Sequence, residues 1–464
     1  MGIVVALAAL LGGIVLGERM GPTPASAPLL LGAVLFVSAL AWSGRTRLFV
    51  AAVALVLLGI ATMGRALHGA AHHGVSPGPL DTTGTLATDA EGERFTVEAL
   101  VRLDAPKRTL VVRARGDDAY RLRVLAAGDR VRLQGDVLPL GRSRFDEYFR
   151  WRHAVAVVDG AHVAAATAPS NSVYAAANRF RALAARGTRT LDTERRALLA
   201  GFLFGDTRAI PDDVADDYRD AGLSHLLAVS GANVAFMLAL IGPLLRRLPL
   251  GARSALALLT IVTFAAVTRF EPSVLRASAL AAVSVLSALS GRPVARLRAL
   301  ILACIALLLA DPFLIHSLGF VLSAGASAGI VLFAGPIATR LRGPAPVRDA
   351  LAVSLAAQVG VTPILLIAFD SVPLVTPLTN VLAAPAAAAL GAFGLPVALA
   401  SGIVPALGPV LHPVNAVLLW WVTAVAHAGA GVDIDLDRQA LAMVVFVGGL
   451  ATLAARAVRV AQTR

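Results

Sequence analysis

The sequence predicts a polytopic α-helical membrane protein of about 12 spans, some broken or re-entrant, with a small extracytoplasmic β-barrel of OB-like type. Three observations predict it. Apolar residues make up 57% of the 464 and charged residues 15%, against roughly a quarter charged in globular chains. Apolar runs recur at the length that crosses ~30 Å of hydrocarbon. Between about Leu67 and Leu198 those runs stop, and alternating apolar and polar side chains replace them.

Three apolar runs open the chain, at about 2–17, 28–42 and 48–67. The link Ser43-Gly-Arg-Thr-Arg47 carries two arginines, which places it in the cytoplasm and sends the third helix outward. Ala25-Ser-Ala27 has the look of a cleavage site. Met1 to Leu16 lacks a basic leading segment, however, so the first helix is expected to be retained. Residues 68–79, rich in His, Gly and Pro, read as a linker.

Residues 93–165 read as several short strands. Phe95–Arg102, Thr109–Arg115, Tyr120–Val124 and Asp129–Gly135 alternate, and Gly116-Asp-Asp118 and Gly128-Asp129 supply turns. Short strands within about 70 residues suit a small barrel. Residues 173–197 read as an amphipathic helix suited to the membrane interface. Leu198–Gly205 is too short to span and reads as re-entrant, and Pro211 opens an acidic helix. The domain expectation is therefore 1–67 N-terminal helices, 68–170 barrel, 171–223 connector and 224–464 transmembrane domain.

From Ser224 the spans return. Basic links at Arg246–Arg253, Arg292–Arg298, Arg340–Arg348 and the tail Arg456–Arg464 are expected in the cytoplasm. That implies one crossing at 224–245, two in 254–289, two in 299–337 and four in 349–455, with the acidic link Val432–Asp437 outside. Both termini then fall in the cytoplasm. Asp311-Pro312 interrupts the tight pair in 299–337, where irregular backbone would have to line a cavity or be buried in protein.

Under this topology the polar groups collect toward the outer side. They are Asp206, His225, Ser230, Asn233, Glu271, Arg276, Asp311, Ser323, Gln358 and Asn380. Each has a bland alternative: a helix cap, an Arg276–Glu271 pair, a packing glycine or a kinking proline. As a cluster they point to a polar intramembrane path. The net charge of +12 fits first the usual cytoplasmic excess of basic residues; a polyanionic partner is the sharper reading, which charge alone does not establish.

Other chemistries fit less well. Ser230 in Val-Ser-Gly invites comparison with intramembrane serine peptidases, but His225 lies five residues away on the same segment, about 140° round a helix. His68, His72 and His73 sit in a Gly-rich linker without a carboxylate between them. The single cysteine, Cys304, allows neither an intrachain disulfide nor a cysteine-based zinc site. No Walker-type loop and no HExxH pattern occur. No cofactor, metal or catalytic group is expected. A small-solute or polyanion transporter is the rival class; inverted repeats would favour it, and none is evident.

Several segments resemble the ComEC-type competence family, in the family's order. Leu198–Asp206 is similar to its leucine-rich GD segment and Gly222–Val234 to its GLSHLLAVSG core. Val274-Leu-Arg-Ala277 with Gly291-Arg-Pro293 resembles its RA…GRP span. Asp311-Pro312 with Gly319–Ser323 resembles its DP…GFxLS region, and Thr362-Pro363, Phe369, Asn380 and Pro385 its TP…F…N…P pattern. Phe145-Asp-Glu-Tyr148 past the barrel is also similar. Asn233 stands where many members have a second histidine. Larger members add a metallo-β-lactamase-like domain, and this sequence reaches Arg464 directly after a span.

The resemblance implies an inner-membrane channel for single-stranded transforming DNA, working with a separate DNA receptor, a nuclease and cytoplasmic motor or single-strand-binding proteins. Membrane lipid surrounds it, and a homodimer is an open alternative. On that reading Arg102, Arg113, Arg115, Arg121, Arg123, Arg130 and Arg132 of the barrel supply phosphate partners, with Tyr120, Phe145 and Trp151 as stacking platforms.

Overall fold

The computed structural model describes all residues except 1, 23–25, 40–43, 72–75, 93–95, 106, 142, 230, 433–434 and 438–464. It is a mostly helical, multi-pass membrane protein. Among the described residues eight helices are long and apolar enough to cross a membrane.

Three helices open it: α1 (Gly2–Met20), α2 (Ser26–Ser38) and α3 (Gly44–Ala71). Helices α1 and α3 pack through glycines. A Cβ on Gly59 would lie 2.7 Å from the Leu10 carbonyl oxygen, and one on Gly17 2.9 Å from Ile60 Cα. Small residues let backbones close to this distance where lipid offers no hydrophobic drive between helices. At 13 residues α2 is short of a span.

The barrel begins at once. Strands β1 (Gly78–Leu86), β2 (Thr96–Leu103), β3 (Thr109–Arg115), β4 (Arg130–Pro139) and β5 (Ala154–Thr167) close in the order β1-β2-β3-β5-β4. Only the β3–β5 pair is parallel, and β4 pairs with β1 to complete the closure. Inward positions such as Leu86, Val97, Leu110, Val112, Leu133 and Val158 are fully buried and fill the interior.

Two expectations fail in this region. Residues 120–124, read as a strand, belong to helix α4 (Asp117–Arg123). Its alternation coincides with a helical face: Ala119 and Leu122 are buried against the barrel, while Tyr120 is 72% exposed. The supposed linker 68–79 contains the end of α3 and the start of β1. Gly, Pro and Thr in Gly78–Leu86 hid a strand whose partners lie on both β2 and β4.

Helix α5 (Arg144–Arg150) bridges β4 and β5, capped by the Ser143 hydroxyl. After the barrel the expected continuous interfacial helix is two. Helix α6 (Ser172–Gly187) packs on a later helix, with Gly187 so close to the Ala398 carbonyl that no Cβ fits. Helix α7 (Thr193–Phe204) restarts under an Asp192 cap and ends at left-handed Gly205. The segment read as re-entrant is its last two turns. Leu198, Leu199, Phe202, Leu203 and Phe204 are buried in the main apolar core, so they pack against protein.

The expected single span 224–245 is broken. It comprises α9 (Ser224–Leu227), α10 (Gly231–Leu240) and α11 (Gly242–Leu245), preceded by α8 (Asp212–Asp220). Ten residues of α10 reach only ~15 Å. The break has a cause at Ala228, whose backbone is extended (ψ 139).

Two crossings follow in α12 (Leu250–Val267) and α13 (Pro272–Leu289). Then come α14 (Arg296–Ala310), a 3₁₀ turn at Pro312–His316, α15 (Leu318–Ala338) and α16 (Ala345–Phe369). Helix α14 has 15 residues and falls short of a span. Strand β6 (Ser371–Pro373) pairs with β7 (Asp435–Asp437). Helix α17 (Thr376–Ala389) runs through Pro385 and continues by a π turn at Leu390–Gly394 into α18 (Leu395–Ile403). Helix α19 (Gly408–Ala430) is the last described span. The fourth crossing expected in 349–455, and the basic tail, lie outside the described residues. Twelve full spans are therefore not found: three expected crossings are too short or broken, and one is outside the described residues.

Candidate functional site

Two polar centres stand out, one among the helices and one beneath the barrel. In the first, Arg276 sits one turn into α13 and is only 5% exposed. Its Nε donates to the Ser323 hydroxyl of α15 at 2.7 Å. Its Nη1 is buried and has no hydrogen-bond partner. No carboxylate pairs with it among the described residues, so the expected Arg276–Glu271 alternative is not what forms. Three residues earlier on α13, Ser273 donates to the Val229 carbonyl at 2.8 Å. That bond holds the start of α10 against the same face of α13. A Cβ on Gly231 would lie 3.2 Å from Arg276 Nη2 and 3.1 Å from Ala277 Cβ.

The second centre joins the barrel to the helices. Asp89, in the β1–β2 connection, pairs with Arg269 (3.0 Å) and Arg181 (3.2 Å). Asp206 pairs with Arg181 and Arg208, both at 2.7 Å. Two carboxylates thus share three guanidiniums, drawn from the barrel, α6, the loop after α7 and the α12–α13 turn. Burial alone would push the Asp206 carboxyl up, but its Arg208 hydrogen bonds and the Arg208 and Arg181 charges bring it down to about 2. Asp89 is held below its ordinary value on the same balance of burial against Arg181, Arg269 and Arg208. Glu271 lines the same small pocket. Burial raises its carboxyl, Arg152 opposes this, and Glu91 and Asp89 add to the rise.

The remaining predicted residues disperse. His225 is exposed, and its Nδ1 lies 3.1 Å from the Gly222 carbonyl oxygen. A carbonyl only accepts, so Nδ1 carries a proton. Asn233 donates to the Phe202 carbonyl at 2.9 Å, tying α10 to α7. Asp311 caps the 3₁₀ turn through the Phe313 amide and reaches His153 of the barrel at 3.1 Å. Gln358 and Asn380 are half-buried on α16 and α17, without a side-chain hydrogen bond among the described residues. Ser230 lies outside the described residues, as do His72 and His73.

On the barrel most arginines already have partners. Arg132 pairs with Asp81 at 2.8 Å and Arg130 with Asp104. Arg113 lies between Glu98 (2.6 Å) and Asp159 (3.6 Å), and Arg115 reaches Asp159 at 3.0 Å. Arg121 and Arg123, on α4, reach the carbonyls of Val163 and Gly92. Arg102 is exposed on β2 with no partner among the described residues. Phe145 and Tyr148 of α5 are both 49% exposed, and the Arg113 guanidinium lies 5.8 Å from the Phe145 ring centre. Trp151 is not a free platform: it stacks on His316 at 3.8 Å and packs on Phe313.

Reading the sequence missed Asp89, Arg181, Arg208 and Arg269. Only Arg208 carried a local signal, two residues from Asp206. The other three are far apart in the chain and meet only on folding.

These features define a multi-pass helical membrane protein with a buried cation among its helices and a barrel clamped to them. The chain belongs to the competence protein family, whose model matches residues 202–459, more than half of it. It is similar to ComE operon protein 3 of Bacillus subtilis (strain 168), 26% identical over 243 residues, covering 52% of this chain and 30% of that protein. It is also similar to the uncharacterized protein YcaI of Escherichia coli (strain K12), 27% identical over 232 residues, covering 46% and 30%. The chain thus matches under a third of the length of either relative. No solved structure matches at a significant level. Every predicted polar residue among the helices falls within 202–459, and the barrel falls outside it.

Proposed function

We propose that this protein passes single-stranded DNA across the cytoplasmic membrane during competence, from outside to cytoplasm. The observation that carries the reading is Arg276, a buried arginine without a carboxylate among the described residues, within the segment matched to the competence family. An uncompensated cation is costly among membrane helices, and such residues mark pathways for charged substrates. A polyanion supplies the missing charge.

The barrel supports the same reading. Its closed five-stranded order β1-β2-β3-β5-β4, with α4 between β3 and β4, supports reading it as OB-like, a scaffold that recurs in single-strand binding. In this proposal the barrel lies outside the cytoplasm and receives the strand on Arg102, the α4 residues Tyr120, Arg121 and Arg123, and exposed Phe145. Both termini lie inside. The sequence holds no Walker loop, and pulling falls to cytoplasmic motor or single-strand-binding partners. Strand degradation is likewise assigned to a separate nuclease, and capture to a separate DNA receptor.

The test is entry of labelled DNA into the cytoplasm of a deletion strain. Entry restored by wild type but not by equally expressed Arg276→Ala is the expected result. Unchanged entry in the deletion strain of a competent host defeats the assignment and favours a small-solute transporter.

A further inference from the structure

We infer that Glu271 is an acid-sensitive key in the clamp that holds the barrel to the helices. Neutral, it lets the barrel seat; ionised, it works the seat loose. The device concerns how the barrel docks, whatever substrate crosses the helices.

Its placement comes first. Glu271 directly precedes Pro272, where α13 begins, and follows the left-handed residues Arg269 and Phe270. It lines a small cavity of about 40 Å³ at the seam. The barrel side contributes Asp89 and Glu91 of the β1–β2 connection and Arg152 from before β5. The helix side contributes Arg181, Asp206, Arg208 and Arg269. The Glu271 carboxyl faces the barrel: the Glu91 and Asp89 charges act on it, and its own charge acts on the Tyr148 phenol of α5.

The pairing at the seam leaves Glu271 out. Asp89 holds Arg269 and Arg181, and Asp206 holds Arg181 and Arg208. Arg152, whose charge reaches Glu271, donates instead to the Tyr148 hydroxyl. Among the described residues Glu271 makes no ion pair and no side-chain hydrogen bond. Ionised, it therefore adds an unpaired negative charge where Asp89 and Glu91 already stand. Lifting the barrel away removes both of those charges and admits water, which favours the ionised form.

The sign follows from that geometry. Burial, with Glu91 and Asp89 adding to it against Arg152, holds the Glu271 carboxyl above its ordinary 4.5. A carboxyl raised by docking favours the docked barrel fully below the ordinary value and stops doing so as pH rises through the raised one. Each unit of rise is worth up to about tenfold in the docking equilibrium. Asp206 acts in the opposite sense, but its value of about 2 keeps its arginine pairs formed throughout this window. The clamp is thus tightest where Asp206 is ionised and Glu271 is neutral. One other carboxyl at the seam is raised. Burial lifts Asp129, just before β4, and Asp89 adds to the rise, while the Ala126 amide and the Arg269 charge oppose it.

The experiment uses the full chain in detergent micelles between pH 5 and 8. Cleavage between α3 and β1 is followed with a protease whose rate on an unfolded substrate is measured at each pH and divided out. Wild type is expected to be cleaved more slowly at pH 5 than at pH 8, by on the order of tenfold. Glu271→Gln, which keeps the shape and removes the charge, is expected to be slow and flat across the range. Its thermal midpoint at pH 5, matched to wild type, reports that it is folded. Glu91→Gln leaves Glu271 in place and is expected to move the step toward lower pH, because one of the charges raising the carboxyl is gone. A flat or reversed wild-type profile overturns the key. An undiminished step in folded Glu271→Gln overturns it too and passes the role to Asp129. A step that Glu91→Gln leaves unmoved shows that the barrel's charge does not govern Glu271, and sinks the device as well.

Discussion

Asp89 and Arg269, 180 residues apart, meet in a two-point ion pair, Nη2 to Oδ1 at 3.0 Å and Nε to Oδ2 at 3.1 Å. The pair fastens the barrel to the turn between α12 and α13. That turn is strained: Arg269 and Phe270 both have left-handed backbones, with φ of 61° and 56°. Such residues cost of order 1–3 kcal/mol each and persist where surroundings over-determine them. Here the forked pairing with Asp89 fixes the Arg269 side chain, and Arg181, also bonded to Asp206, braces Asp89 from the other side.

Asp89→Asn should therefore loosen the barrel. Removing one partner of a buried pair leaves uncompensated charge and costs about 3–5 kcal/mol. Increased proteolysis between α3 and β1, with the membrane helices still protected, is the expected outcome. Unchanged protection would show that the network does not hold the barrel down.

The Asp206 carboxyl gives a pH signature. Its folded value of about 2 lies below the ordinary 3.8. The stability it contributes is full above about pH 4 and is lost as pH falls through about 2, roughly 2 kcal/mol in all. The side chain is 19% exposed, so solvent screening is modest. Asp206→Asn should flatten the acid limb of a stability profile measured between pH 5 and 2. A profile identical to wild type would place the acid sensitivity elsewhere.

Asn233 acts through the Phe202 carbonyl. Asn233→Ala should lose about 1 kcal/mol of stability and reduce DNA entry by loosening α10 from α7. Asn233→His keeps a donor and should retain entry. If Asn233→His fails while folding normally, the amide does more than anchor α10.

Helices α15 and α16 touch through glycines. Gly360 leaves no room for a Cβ against the Gly325 carbonyl, and a Cβ on Gly329 would meet Gly360 Cα at 3.0 Å. Gly360→Leu should lower the thermal midpoint in micelles by an overpacking cost of about 1–3 kcal/mol or more. Gly335→Leu, on the same α15 but facing open space, is the control expected to leave it unchanged.

The barrel arginines should not contribute equally. Arg102 has no partner among the described residues, whereas Arg132 is held by Asp81 at 2.8 Å. Arg102→Gln should lower the affinity of the full chain for oligothymidylate and reduce its salt slope by roughly one. Arg132→Gln should do less, because Asp81 already neutralises it. Equal effects would mean that DNA displaces the Asp81 pairing.

The sequence by itself determined the membrane class, the place of the β segment, the resemblance of the 222–234 core and the oddity of Arg276. Each depends on composition or local period, which hydrocarbon and strand pleating impose residue by residue. It misled where period was ambiguous: Tyr120–Val124 alternates as a strand would, yet Ala119 and Leu122 pack as one face of a helix. It also misled where burial mattered more than length, since Leu198–Phe204 is apolar because it lies in the protein core. Only the tertiary structure decided the partners of the charges. Arg276 passes over nearby Glu271 for Ser323, 47 residues on, and Asp89 reaches Arg181 and Arg269 across helices it does not adjoin in the chain. Ion pairs depend on distances of a few ångströms between side chains, and for residues far apart in sequence those distances are set only when the helices pack.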